Sequence, residues 1–253
     1  MEGGLLGVLE SDAARKIVGH MEVRRRLYIA VFLVGFVVGF PAAGEIIEWL
    51  LESRGFIPDG VEVIILQPME VILLQLRIAT QIAFGLTIIL VIVDLAWTGR
   101  KALPDSLFSA ARGMGSFGAM MVMGAIVALG ALGLVYAHGI LIPFLLEYLA
   151  EDSAASGLQS TWQLQSWVGF VTGLYFASIV GFQMPVMVLV LLRTEMVDRG
   201  FIVHNRGLIW FSALFIGALI SPPDPVSLFL VGGPMLVLLE LALLYEKLTS
   251  GRA

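Results

Sequence analysis

Glu22 stands two residues ahead of three consecutive arginines in HMEVRRRL (20–27), where a long apolar run begins. Two chemistries fit it. A carboxylate three and four positions before Arg25 and Arg26 on a helix is neutralised locally and contributes a few tenths of a kcal/mol. A carboxylate at a membrane surface can instead pair with a guanidinium on another molecule, because the two groups are planar, bidentate partners. Gln183, in VGFQMPV, is polar within an apolar stretch and lies about ten residues from Arg193, hence roughly 15 Å deep. It needs a partner across a helix interface or a wet cavity to face. Pro185 removes a backbone donor and should bend or loosen the same span. Asp224 lies in SPPDP (221–225), where Pro222 and Pro223 force the chain out of helix and the carboxylate can cap the next one. Arg77 and Glu240 are charges inside apolar runs, and Asp94 is another near a run's end. Arg77 has the length to snorkel, and Glu240 sits about a turn and a half from the end of its run.

Catalytic chemistry finds little footing. There is no cysteine, His20, His138 and His204 fall on separate segments, and no HExxH, GxSxG or phosphate loop occurs. No metal, cofactor or catalytic centre is expected, and therefore no enzyme. A net charge of −5 argues against nucleic acid as a partner. Twelve of the fifteen basic residues are arginine, which fits a salt-adapted source or a high-GC codon bias equally well.

The elements that must hold these residues are membrane helices. The 253 residues are 58% hydrophobic with a mean hydropathy of +0.94, far beyond a soluble domain. Several apolar runs reach the length of about 18 residues that crosses a core of roughly 30 Å, without the alternation of a barrel. Spans are predicted at 27–50, 71–97, 114–137, 164–192, 207–221 and 226–245, giving an all-α bundle of six with a short fifth and sixth. Thirteen of the fifteen Lys and Arg residues fall in the N-terminal segment, the second and fourth connections and the tail. The positive-inside rule makes that side, with both termini, cytoplasmic. Three regions follow: a cytoplasmic amphipathic segment (1–26), the membrane domain (27–245) and a cytoplasmic tail (246–253). Leu5, Leu9, Ala13, Ile17 and Met21 recur every four residues, which predicts a helix along the membrane surface. The opening LLGVL is too short for a cleaved signal peptide. The fifth span, about 15 residues or 22 Å, should thin the bilayer beside it, and the glycines of the third provide close helix contacts.

These residues resemble TatC, the polytopic subunit of the twin-arginine protein translocase. The likeness runs from Trp167 and Phe170 through FQMP (182–185), Arg206, SPPDP, Pro234 and Glu240. MEVRRRL (21–27) is similar to the family's cytoplasmic Glu-plus-basic motif, and QPMEVILLQLR (67–77), with Pro68 and Glu70, to the opening of its second span. The resemblance implies a concave six-span receptor in the cell membrane. Such a receptor binds twin-arginine signal peptides of folded precursors and recruits single-span TatA- or TatB-type subunits. It works in an oligomeric complex driven by the proton-motive force. It further implies that Glu22, with Arg24 and Arg26 beside it, contacts the signal, that Gln183 and Glu240 are intramembrane polar positions with Gln183 facing the cavity, and that Asp224, Pro222, Pro223, Glu70 and Pro68 belong to the outer turns.

The family's second signal-reading glutamate precedes a basic pair in the second loop. Here PDSLFSAARG (104–113) has Ala110 and Ala111 before Arg112, and Asp105 is the loop's acid. Either Asp105 substitutes from a shifted position, or the signal arginines are read mainly through Glu22, or specificity is relaxed. A small-solute transporter or channel using Gln183, Arg77 and Glu240 as a polar path is the alternative, although no internal repeat supports it. A purely structural scaffold would leave the Glu22 motif idle.

Overall fold

The computed structural model describes residues 12–53, 56–58, 61–98, 115–155, 161–193, 197, 199–220 and 225–250. Helix α1 (Asp12–Glu52) is one uninterrupted element of 41 residues. At 1.5 Å per residue it is about 60 Å long, roughly twice a hydrocarbon core. The expected separate surface helix is therefore not found: from Asp12 onward that segment is the first part of α1. Its Lys, Arg, Glu and Met are good helix formers, no proline occurs before Pro41, and nothing there stops the helix. Helix α2 (Glu70–Thr98) runs back along α1. Small residues bring the two backbones together: a Cβ added to Gly35 would lie 3.1 Å from the Ala83 Cα, and one at Gly39 3.3 Å from that of Ala79.

The helical path does not stop at the predicted end of the third span, where α3 (Gly115–Tyr136) closes. It passes through a π turn (Ala137–Leu141) into α4 (Ile142–Ala155). Pro143, second in α4, follows directly on this π turn, whose wider backbone relieves the clash of its ring with the preceding turn although its missing N–H leaves one bond of the ladder unmade. The fourth span is interrupted just ahead of Pro185, the residue expected to bend or loosen it. Helix α5 (Leu164–Gly181) stops, Phe182 and Gln183 turn, and α6 (Met184–Arg193) resumes with Pro185 in its first turn. Helices α7 (Arg199–His204), α8 (Arg206–Ile220) and α9 (Pro225–Ser250) complete the bundle. Among the described residues, five stretches are long and apolar enough to cross a membrane: Val18–Glu52, Glu70–Trp97, Met120–Ser153, Leu164–Arg193 and Phe229–Leu248. Helix α8 has the 15 residues expected of a short span. The last helix, with 26, is not short.

Nor is the fold wholly helical. Two three-residue strands, β1 (Glu62–Ile64) and β2 (Thr161–Gln163), pair in parallel with Val63 opposite Trp162. They join the α1–α2 connection to the α4–α5 connection. An isolated pair this short is unstable in water, but Val63 and Trp162 pack on the main core. That core includes Leu50, Leu74, Leu141, Leu145, Trp167 and Val171. It fills the end of the bundle nearest the strands, here the sheet end. The opposite end carries Arg24 to Arg26 and is here the arginine end.

Candidate functional site

At the arginine end, Glu22, Arg25 and Arg26 are exposed. Glu22 and Arg26 are four residues apart and share one face of α1, whereas Arg24, two residues from Glu22, projects about 200° around the axis. Arg24 lies on the side that meets α2. Its Nη1 is 2.7 Å from Oδ1 of Asp94. The Tyr28 hydroxyl donates to Asp94 Oδ2 at 2.7 Å, and His20 Nε2 is 3.0 Å from the same oxygen. Asp94 is 6% exposed. Thus His20, Arg24 and Tyr28, one turn apart, close on a single buried carboxylate. The sequence held half of this: the spacing by fours is visible, but the partner on α2 depends on how two helices pair. Arg24, expected to contact a ligand beside Glu22, is paired with Asp94 while its side chain stays 40% exposed.

At the sheet end, Glu70 is fully buried at the first turn of α2. Its Oε1 accepts from the backbone N–H of Leu66 (3.0 Å) and Gln67 (2.9 Å) and from Nε2 of Gln163 (2.8 Å). The carboxylate meets orphan donors at a helix N-terminus, where the dipole favours negative charge. The same group ties α2 to the end of β2. Pro68, exposed, occupies the turn closed by the bond from the Glu70 N–H to the Gln67 carbonyl.

A concave apolar groove of about 710 Å³ opens between α1, α2, α3 and α5. Trp49, Ile82, Leu134, Phe176 and Val180 form part of its wall, with His138 and Tyr175 as a polar spot. His138 Nδ1 is 2.8 Å from the Tyr175 hydroxyl, and its ring stacks with Trp49 at 6.2 Å between centroids. Gln183 does not line this groove. It is 3% exposed and donates from Nε2 to the carbonyls of Ile126 (3.2 Å) and Ile179 (3.3 Å). Gly130 explains the inward turn, because with no side chain there the amide fits against α3; a Cβ would lie 3.3 Å from Nε2.

Glu240 is half-buried on α9 with Arg206 Nη1 3.8 Å from its Oε2. It lines a smaller pocket of about 430 Å³ with Trp210, Leu236, Val237, Leu241 and Leu244. The Arg206 guanidinium lies 5.6 Å over the Trp210 ring. Arg77 is exposed, and its guanidinium rests against Gly169, where any Cβ would collide with it. Asp105, Asp224, Pro222 and Pro223 lie outside the described residues.

Fold and site together define a multi-span helical membrane protein with a concave apolar groove and a long first helix that carries three consecutive arginines. The family described as Sec-independent protein translocase protein (TatC) matches residues 20–234, and the chain belongs to that family. It is a multi-pass membrane protein of the twin-arginine transport pathway, a protein translocase component. The chain is 26% identical over 234 residues to the TatCy protein of Bacillus subtilis (strain 168), covering 92% of this chain and 88% of that one. It is also 26% identical over 243 residues to the TatC protein of Deinococcus radiodurans, covering 93% and 87%. The crystal structure of the twin-arginine translocase receptor TatC superposes with a TM-score of 0.68 at 22% identity, over 92% of this chain and 99% of that one. The fold is the same.

Proposed function

We propose that this chain is the signal-receiving subunit of its translocase, and that Glu22 is the carboxylate that contacts the arginines of a twin-arginine signal peptide. The observation that carries the reading is the placement of Glu22: exposed, on the face of α1 turned away from α2, on a helix that outruns a membrane core. A planar carboxylate so placed accepts a guanidinium bidentately, a geometry lysine lacks. In this reading α8 completes a set of six spans, both termini are cytoplasmic and Asp105 assists from the second loop. Single-span TatA- or TatB-type subunits are recruited to move folded precursors at the expense of the proton-motive force. The subunit works in an oligomeric complex in the cell membrane.

A solute path finds less support. Gln183 is bonded between helices, Arg77 lies over Gly169, and Glu240 sits beside Arg206. The test is binding of a synthetic twin-arginine signal peptide to the purified protein in nanodiscs, beside a twin-lysine peptide and the Glu22→Gln variant. Selective binding of the arginine peptide, weakened about tenfold or more by Glu22→Gln, is expected for loss of a charged hydrogen-bonded pair. Equal binding of both peptides, unaffected by the substitution, would refute the receptor reading.

A further inference from the structure

From Val18 to Leu27 no side chain of α1 is buried, and Val23 is 85% exposed. Apolar packing therefore does little to hold this stretch against the bundle. What joins it, among the described residues, is the carboxylate of Asp94 with His20, Arg24 and Tyr28. Three donors one turn apart, converging on one buried group, restrain a helix in two ways. Their spacing along the axis fixes how far α1 slides on α2, and their common face fixes its rotation. Charged hydrogen bonds at 2.7 Å are the strong kind, and burial of Asp94 limits their screening.

We infer that Asp94 is a positioning residue for signal-peptide recognition: through Arg24, His20 and Tyr28 it clocks α1 so that Glu22 and Arg26 face outward. Arg24 acts through this clamp and not as a peptide contact. The inference rests on the receptor reading given above, but the clamp has a consequence that needs no peptide. The chain has no cysteine, so two introduced cysteines can be spin-labelled without background. Val18 on α1 and Val127 on α3 are both exposed and serve as label sites.

In the Asp94→Asn variant the Val18–Val127 distance distribution should broaden, and affinity for the twin-arginine peptide should fall about tenfold, as expected for a lost charge-assisted contact. The exchange Arg24→Asp with Asp94→Arg should restore a narrow distribution and most of the affinity, which a variant that merely misfolds would not do. Tyr28→Phe, which keeps the ion pair, should show a smaller change of both readouts. An unchanged distribution in Asp94→Asn would overturn the clamp. Broadening with unchanged affinity would overturn its role in recognition. Broadening in a protein that never distinguishes arginine from lysine peptides would leave the clamp standing and refute the receptor reading instead.

Discussion

Helix α2 carries a buried carboxylate near each end, and the two are held in opposite ways. Oε1 of Glu70 accepts from backbone amides three and four residues before it and from one amide side chain at the end of β2. Asp94 instead accepts from three side chains of α1. Around Glu70 lies the largest apolar core, and around Asp94 the partner helix is exposed over most of its surface. Backbone donors are fixed by the fold, whereas long side chains have rotamers to lose and regain. The comparison separates a rigid frame at the sheet end from a polar, adjustable hold at the arginine end, where the recognition face is proposed to lie.

Breaking the rigid end should have the largest effect. Glu70→Ala removes three hydrogen bonds at once and leaves Leu66, Gln67 and Gln163 donors stranded. The expected outcome is the greatest fall in thermal unfolding temperature of any change named here, with loss of the strand pair seen as rapid amide exchange at Val63 and Trp162. A stability equal to wild type would mean that the sheet end does not depend on its carboxylate.

Next comes a paired glycine experiment on α3, which travels from one end to the other. A Cβ at Gly133 would lie 2.7 Å from the Ser178 carbonyl oxygen, whereas one at Gly124 meets nothing within 4 Å among the described residues. Gly133→Ala should therefore cost about 1–2 kcal/mol by forcing α3 from α5. Gly124→Ala should gain about 0.5–1 kcal/mol from helix propensity. Reversible unfolding in mild detergent measures both, and equal responses would contradict a tighter sheet end.

The smallest effect is expected midway. Gln183→Leu removes two donated bonds but also a buried acceptor, Oε1, that has no partner among the described residues. Replacing both polar functions by similar volume should change stability by less than about 1 kcal/mol. A loss of several kcal/mol, read in the same assay, would show the amide to be essential glue.

Much of this frame is visible in the chain itself. Apolar runs with charged flanks place most of the helices, because lipid leaves the backbone few alternatives. Pro185 accompanies the break after Gly181, whereas Pro41 and Pro234 lie inside continuous helices. What sequence cannot convey is pairing between distant segments. The strands EVI and TWQ are too short to carry a period, and their partnership spans nearly a hundred residues. Asp94 looks like a charge near a helix end until α2 is laid against α1, and Arg24 resembles its two neighbours until that pairing turns it inward. Gln183 reads as polar and deep from its position alone, but its direction is set by the gap at Gly130. The continuation through Ala137–Leu141 is hidden because a π turn has no strong sequence signature and Pro143 suggests a stop.

The length of α1 gives its small-residue seam a mechanical meaning. From Gly35, where α1 presses most closely on α2, to Glu22 is thirteen residues of helix, a rod of about 20 Å. Pivoting there by about 10° sweeps the tip through an arc of about 3 Å, the span of one hydrogen bond. The seam is thus a fulcrum, and a displacement of a few tenths of an ångström near it is magnified at the tip.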